Sequence, residues 1–334
     1  MQYRPLGRSG LRVSPICLGT MMFGARTELA EAGRIVDIAR DAGINFVDTA
    51  DVYTRGASER MLGELIARDR NAWVLATKVG NPMGPGPNQG NHSRKWLMQE
   101  IDDSLARLGT DHVDVWYLHV DDLATPLAET LGAIADIIRA GKVRYWGVSN
   151  FSAWRVAEAC HVAAGLGLAP PVASQPLYNA LNRQVEAEHL PACEFYGLGV
   201  VPYSPVARGV LTGKYGTDGT APADSRAGLK DRRMMETEFR PESLSIAQDV
   251  VAHARSRNIS PTQFAILWLL RNQLVSSVIA GPRTVEQWQE YLGALEHTLD
   301  ARDEAAIDAL VKPGHASTHG YTDPKYPVTG RVVG

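Results

Sequence analysis

Three residues with acid, base and imidazole chemistry each end a short apolar run in this 334-residue chain. Asp48 ends Ile44-Asn45-Phe46-Val47-Asp48, Lys78 ends Val74-Leu75-Ala76-Thr77-Lys78, and His119 ends Val113-Asp114-Val115-Trp116-Tyr117-Leu118-His119. Singly, each has an ordinary structural reading. An Asp after a strand is commonly a turn former, a Lys there snorkels to the surface, and a His is more often structural. If the runs are consecutive strands of one parallel sheet, the three side chains converge at one rim. Tyr53, in the loop after Asp48, then acquires a role. An ordinary phenol has a pKa of about 10. A neighbouring Lys78 ammonium is expected to favour the phenolate and lower that value, with Asp48 holding the ammonium charged and oriented. The expected result is a tuned general acid, with His119 donating a hydrogen bond to the oxygen that Tyr53 protonates.

The elements around these residues support such a sheet. Apolar runs at 13–18, 44–48, 73–78, 113–119, 143–150, 172–178, 199–206 and 275–281 are mostly apolar throughout, as strands covered on both faces are. Amphipathic segments fill the gaps at 28–42, 58–68, 93–108, 126–140, 152–166, 183–196, 243–257 and 284–297. Ser152 and Thr284 stand where N-caps belong, and Gly43, Gly109 and Gly141 where helices end. Eight strand–helix units predict a parallel (β/α)8 TIM barrel, an α/β fold whose chemistry sits at the C-terminal ends of the strands. Residues 1–312 are expected to form a single barrel domain and 313–334 a tail. The tail is expected to lie near the active-site mouth or a partner subunit, covering Tyr321, Tyr326 and Val328, with a disordered end as the alternative. Gly7-Arg8-Ser9-Gly10 predicts an N-terminal β-hairpin turn across the barrel floor. Long loops at 80–91 and 208–241 are expected at the C-terminal face, where long loops are usually functional.

Composition narrows the class. Hydrophobic residues make up 45% and charged residues 21%, which excludes a disordered chain. The net charge of -3 argues against nucleic acid as a partner. No apolar run reaches the ~20 residues of a membrane span, and Met1-Gln2-Tyr3-Arg4-Pro5 lacks an apolar signal core. Cys17, Cys160 and Cys193 form neither a disulfide framework nor a CxxC motif, so each reads as a small buried apolar residue in a reducing cytoplasm. His315 and His319 lie among glycines and a proline with no further ligand at suitable spacing, so no metal site is expected.

The motifs together resemble the aldo-keto reductase superfamily. The matching stretches are Gly43 to Tyr53, Ala76-Thr77-Lys78, Tyr117-Leu118-His119, Gly147-Val148-Ser149-Asn150-Phe151, Gln175-Pro176-Leu177-Tyr178-Asn179 and Pro202-Tyr203-Ser204-Pro205. Leu6-Gly7-Arg8-Ser9-Gly10-Leu11-Arg12-Val13-Ser14 resembles the bacterial branch related to the potassium-channel β-subunits. The resemblance implies that Tyr53 is the general acid, Lys78 and Asp48 its tuning pair, and His119 the substrate-orienting imidazole. It implies NADP(H) as cofactor, with Ser149, Asn150 and Gln175 at the nicotinamide carboxamide and Tyr203 stacked on the ring. Gly19, Thr20 and Met21 would lie beside it, and Ser204, Arg208 and Gly281 would complete the cofactor set.

The start of the last predicted helix carries a phosphate signal in Gly281-Pro282-Arg283-Thr284-Val285-Glu286-Gln287. A helix N-terminus with free N–H groups suits a phosphate, and an arginine adds a charged contact. The resemblance assigns Arg283, Thr284 and Gln287 to the 2′-phosphate and Glu290 to the adenine, while Tyr291 stands where relatives commonly carry Asn. The expected function is NADP-dependent reduction of an aldehyde or ketone, a keto-sugar or xenobiotic carbonyl included. Phe23 and Trp116 are expected in the substrate pocket. The expected partner is a small carbonyl or alcohol, with neither nucleic acid nor membrane; an oligomer is compatible. Two rival readings remain: a nucleotide-binding, redox-sensing subunit, and a lyase forming a Schiff base on Lys78.

Overall fold

The computed structural model describes residues 1–327; Val328 and the rest of the expected tail lie outside the described residues. The strands are β1 (Arg4–Pro5), β2 (Arg12–Val13), β3 (Ile16–Gly19), β4 (Phe46–Asp48), β5 (Val74–Val79), β6 (Val113–Leu118), β7 (Val143–Ser149), β8 (Ala173–Gln175), β9 (Gly199–Val200) and β10 (Val278–Ala280). The helices are α1 (Leu29–Asp41), α2 (Ala57–Ile66), α3 (Arg94–Leu108), α4 (Leu127–Arg139), α5 (Ala153–Gly165), α6 (His189–Tyr196), α7 (Arg232–Thr237), α8 (Pro241–Ser256), α9 (Pro261–Arg271), α10 (Val285–Gly293) and α11 (Ala301–Leu310). They fall into two compact units. One holds Met1–Leu177, Glu188–Tyr203 and Asn272–Leu292; the other holds Tyr178–Ala187, Ser204–Arg271 and the chain from Gly293 on.

The fold is a parallel (β/α)8 TIM barrel, and the first unit contains its eight parallel strands. They run in the order β10-β3-β4-β5-β6-β7-β8-β9. The ring closes where Val200 bridges Val275, with the Ser276 N–H donating to Val200 O at 2.9 Å and the Ile279 N–H to Pro202 O at 3.0 Å. All six residues of β5 are buried, which explains the absence of alternation in the sequence. Around the ring, α1 buries Ala32, Ile35, Val36 and Ala39, the stripe of an amphipathic helix. The Ser93 hydroxyl caps α3 by accepting the Trp96 N–H.

The antiparallel β1–β2 hairpin closes one end of the barrel with Leu6 and Val13, which join a buried cluster with Cys17, Phe46, Val115 and Tyr117. Gly7 makes its turn possible. Its φ is +58°, and a Cβ there would stand 2.5 Å from the carbonyl oxygens of Val172 and Gly197. All three cysteines are buried thiols.

The second unit is helical. α9 is buried from Phe264 to Leu270, so it carries no amphipathic period. Arg183 is its polar hub. The guanidinium donates to Asp308 at 2.6 Å, to Glu186 at 2.9 Å and to Val311 O at 2.8 Å. The described part of the tail is anchored to this unit. Asp323 takes two hydrogen bonds from Arg233, and the Arg240 guanidinium lies 3.6 Å from the centre of the Tyr321 ring.

Three local expectations change. The helix expected over 183–196 is a 3₁₀ turn at Gln184–Glu186 followed by α6, since Glu188 leaves helical geometry between them. The expected long loop at 208–241 contains a 3₁₀ turn at Ala207–Thr212 and the short helix α7. Ser152 occupies the N-cap of α5 in extended conformation, but its side chain makes no capping bond.

Candidate functional site

The register of the barrel brings the predicted residues to one rim. Asp48 pairs with Gly19 and Ala76, Lys78 with Tyr117, and Ser149 with Gln175, all at the C-terminal ends of neighbouring strands. Lys78 is fully buried and Asp48 nearly so. The Lys78 ammonium forms a short ion pair with Asp48 and donates to Thr49 O at 2.6 Å and to the Tyr53 hydroxyl at 3.2 Å. Its three donors are thereby accounted for. Asp48 is fixed on its other oxygen by the Gln175 amide at 2.9 Å. Tyr53 is placed by a tight turn in which Thr54 and Arg55 have φ of +49° and +51°. Gly56 follows at φ +82°, where a Cβ would meet Arg107 Cδ at 2.5 Å. His119 stands edge-on to Tyr53, with ring centres 5.8 Å apart.

The electrostatics correct one expectation. Burial works against the Lys78 ammonium, but Asp48 and Tyr53 together hold its pKa above the ordinary value. For Tyr53, burial is the largest influence and raises the phenol's pKa; Lys78 pulls it down, while Asp48 and Asp51 push it up. The net direction is upward, not downward as the pairing with Lys78 alone suggests. A buried phenolate lacks solvation, and one ammonium shared with Asp48 does not replace it. Tyr53 therefore holds its proton at neutral pH.

The neighbouring rim is also internally bonded. The Ser149 hydroxyl donates to Gln175 O at 2.8 Å. The Asn150 amide donates to His119 O at 2.9 Å and accepts from the Tyr203 hydroxyl at 2.8 Å. Thr20 is buried, with its hydroxyl donating to Asp48 O at 3.1 Å, and Met21 is partly exposed. Gly19 passes Ile279 so closely that a Cβ would stand 2.7 Å from its Cγ2. Phe23 and Trp116, expected in the substrate pocket, are both buried. In the second unit, Ser204 has φ +58° and its carbonyl accepts from Asn179 at 3.1 Å. Arg208 has φ +52° and helps hold down the pKa of buried Glu238, which burial raises.

At the N-terminus of α10, three N–H groups are engaged by side chains. The Arg283 N–H donates to Gln287 Oε1 at 2.8 Å, the Val285 N–H to Glu31 Oε1 at 2.7 Å, and the Gln287 N–H to Thr284 Oγ1 at 3.4 Å. Gly281 is exposed, Arg283 and Glu290 are half-buried, and Tyr291 is buried.

Sequence reasoning missed three contributors. The Thr49 carbonyl is backbone and carries no type signal. Glu31 is 254 positions from the N–H it caps. Asp51 is fully buried near Glu59 and Glu100, and reads in the sequence as a loop residue. Among the described residues no group of three or more His, Cys, Asp or Glu is placed to hold a metal, and no helix is long and apolar enough to cross a membrane.

Comparisons with known proteins follow the same outline. The profile of the Aldo/keto reductase family matches residues 15–312. The chain is 41% identical over 330 residues to a "Probable voltage-gated potassium channel subunit beta" of Oryza sativa subsp. japonica, covering 96% of this chain and 100% of that one. It is 38% identical over 302 residues to a protein of the same description in Arabidopsis thaliana, covering 89% and 92%. It is 37% identical over 336 residues to the "Uncharacterized oxidoreductase YrpG" of Bacillus subtilis (strain 168), covering 96% and 99%.

Proposed function

The chain belongs to the Aldo/keto reductase family, and from that premise we propose that it is an NADP(H)-dependent oxidoreductase reducing an aldehyde or ketone to the alcohol. The observation that carries this reading is the Lys78 ammonium, fully buried between Asp48, Thr49 O and the Tyr53 hydroxyl. A hydroxyl that keeps its proton at neutral pH and touches a fixed ammonium is a proton donor whose conjugate base is stabilised where it forms. Tyr53 delivers the proton to the carbonyl oxygen, Lys78 stabilises the phenolate left behind, and Asp48 keeps Lys78 charged. His119 orients the oxygen. When bound, the nicotinamide supplies the hydride.

The donor set fits such a cofactor. Amides of Asn150 and Gln175, the Ser149 hydroxyl and the Tyr203 ring gather at the ends of β7, β8 and β9. Arg283, Thr284 and Gln287 open α10. Internal bonds hold Asn150 and Gln175 in place, so a carboxamide would be met by a pre-oriented pair. The keto-sugar and xenobiotic classes remain within this reading.

The test is NADPH consumption, followed by absorbance, against a panel of aldehydes, ketones and keto-sugars. Turnover on at least one class, lost in Tyr53→Phe, is expected. The full-length likeness to the two plant proteins favours a second reading, a nucleotide-binding subunit that senses redox state. Tight NADPH binding with negligible turnover across the panel selects it. A Schiff-base lyase is disfavoured, because Asp48 holds the Lys78 amine protonated and without its nucleophilic lone pair.

A further inference from the structure

Glu31 belongs to the first turn of α1, yet its carboxylate reaches the first turn of another helix. One oxygen accepts the Val285 N–H at 2.7 Å, and the other pairs with Arg34. The carboxyl is held below the ordinary carboxylate range, chiefly by the Val285 N–H and then by Arg34. Its side chain is only 22% exposed while Arg34 is 65% exposed, so the acid is the enclosed partner and the base the solvent-facing one. The contact is buttressed by Thr27, two residues before α1, whose hydroxyl donates to Arg283 O at 2.9 Å.

The consequence is electrostatic. A helix N-terminus carries roughly half a positive charge and favours an anion. In α10, which is nine residues long, that anion is already present, as an internal carboxylate. Of the neighbouring N–H groups, those of Arg283 and Gln287 are bound by neutral oxygens, from Gln287 and Thr284, while that of Glu286 turns to its own carboxylate. A neutral acceptor can be exchanged for a phosphate oxygen at little cost. A carboxylate cannot share the position with a phosphate without like-charge repulsion.

We infer that Glu31 is a specificity-determining residue: it occupies the anion position of α10 and sets how strongly nucleotides with a 2′-phosphate are preferred to those without. The inference rests on the reading of α10 as the nucleotide's phosphate end. Arg283 attracts the 2′-phosphate and Glu31 opposes it. Binding requires Glu31 to withdraw toward Arg34, which lies one turn further along α1 and is exposed to solvent. Discrimination between the phosphorylated and unphosphorylated cofactor is thus a balance of two side chains.

The test uses calorimetric titration of the full chain with 2′,5′-ADP and 5′-AMP, which differ in the one phosphate and undergo no redox chemistry. Glu31→Gln keeps the side-chain length and removes the charge. Its ratio of affinities for 2′,5′-ADP over 5′-AMP is expected to rise about tenfold, with 5′-AMP affinity changing less than about twofold. Arg34→Ala keeps the carboxylate and removes its countercharge on an exposed residue, so the fold is undisturbed; the ratio is expected to fall. Arg283→Ala tests the underlying reading separately. A ratio unmoved by Glu31→Gln and by Arg34→Ala, while Arg283→Ala lowers it, overturns the role of Glu31 and leaves the phosphate reading intact. A ratio raised by Glu31→Gln but indifferent to Arg283→Ala upholds Glu31 and removes Arg283.

Discussion

The β4–β5 rim and the α10 N-terminus are both polar, and they are built in opposite ways. At the rim, Lys78 and Asp48 are buried and every ammonium donor is used by Asp48, Thr49 and Tyr53. At α10, the donors are half-exposed and satisfied by side chains that a ligand can replace. The rim is a finished arrangement whose charges have no access to water. The helix end is a provisional one, holding internal substitutes for an external anion. A reacting group gains from rigidity and exclusion of water; a binding group must exchange partners.

The largest effect tests the finished arrangement. Tyr53→Phe removes one oxygen and leaves the ion pair behind it. Carbonyl reduction is expected to fall about 10²–10⁴-fold, the range of a general acid, with NADPH affinity within about twofold. Activity within about threefold of the wild type would show that the proton comes from elsewhere.

Lys78→Met breaks the same arrangement from inside. It leaves the Asp48 carboxylate buried without its countercharge, a change that costs about 3–5 kcal/mol in buried pairs. Urea denaturation measures it; a loss under about 1 kcal/mol would contradict the burial argument. Any remaining reduction should also show its alkaline limb at higher pH. The protonated phenol is the active form, so activity is lost as pH rises through the Tyr53 pKa. Lys78 pulls that pKa down, so its removal moves the limb upward. An unmoved limb would mean Lys78 does not set Tyr53.

The contrast also explains what the sequence made visible. Asp48, Lys78 and His119 were legible because each is a polar residue ending an apolar strand, and strand ends of a parallel ring share a rim. The direction of the Tyr53 shift was not, because burial is a property of everything packed around the ring and outweighs the one charge that spacing reveals. α9 was not legible as a helix, being buried from Phe264 to Leu270 with no polar face to mark its period. Glu31 was not legible as a ligand of α10, since only the ring closure of β10 against β3 brings those helices together.

The provisional arrangement is tested by Arg283→Ala. A charge-assisted hydrogen bond contributes about 1.5–3 kcal/mol, so NADPH affinity should fall roughly 10- to 100-fold. NADH, without the 2′-phosphate, should change far less, and added salt should weaken NADPH more than NADH because Arg283 is only half-buried. Fluorescence titration of both nucleotides decides it. Equal losses would mean that Arg283 does not read the phosphate.

The smallest effect separates position from bond at two helix starts. Thr284 and Ser152 both precede barrel helices, and the sequence reads both as caps. The Thr284 hydroxyl accepts the Gln287 N–H, though at a long 3.4 Å, whereas the Ser152 side chain caps nothing. Replacing a capping Ser or Thr by Ala typically costs about 0.5–2 kcal/mol. A long bond at a half-exposed helix end belongs at the bottom of that range, so Thr284→Ala should lose about 0.5 kcal/mol in urea denaturation. Ser152→Ala should lose almost nothing, since no bond is removed and alanine is the better helix former. A cost for Ser152→Ala equal to that of Thr284→Ala would show that the serine's cap forms in solution, and that start would then join α10 among the ends whose partners exchange.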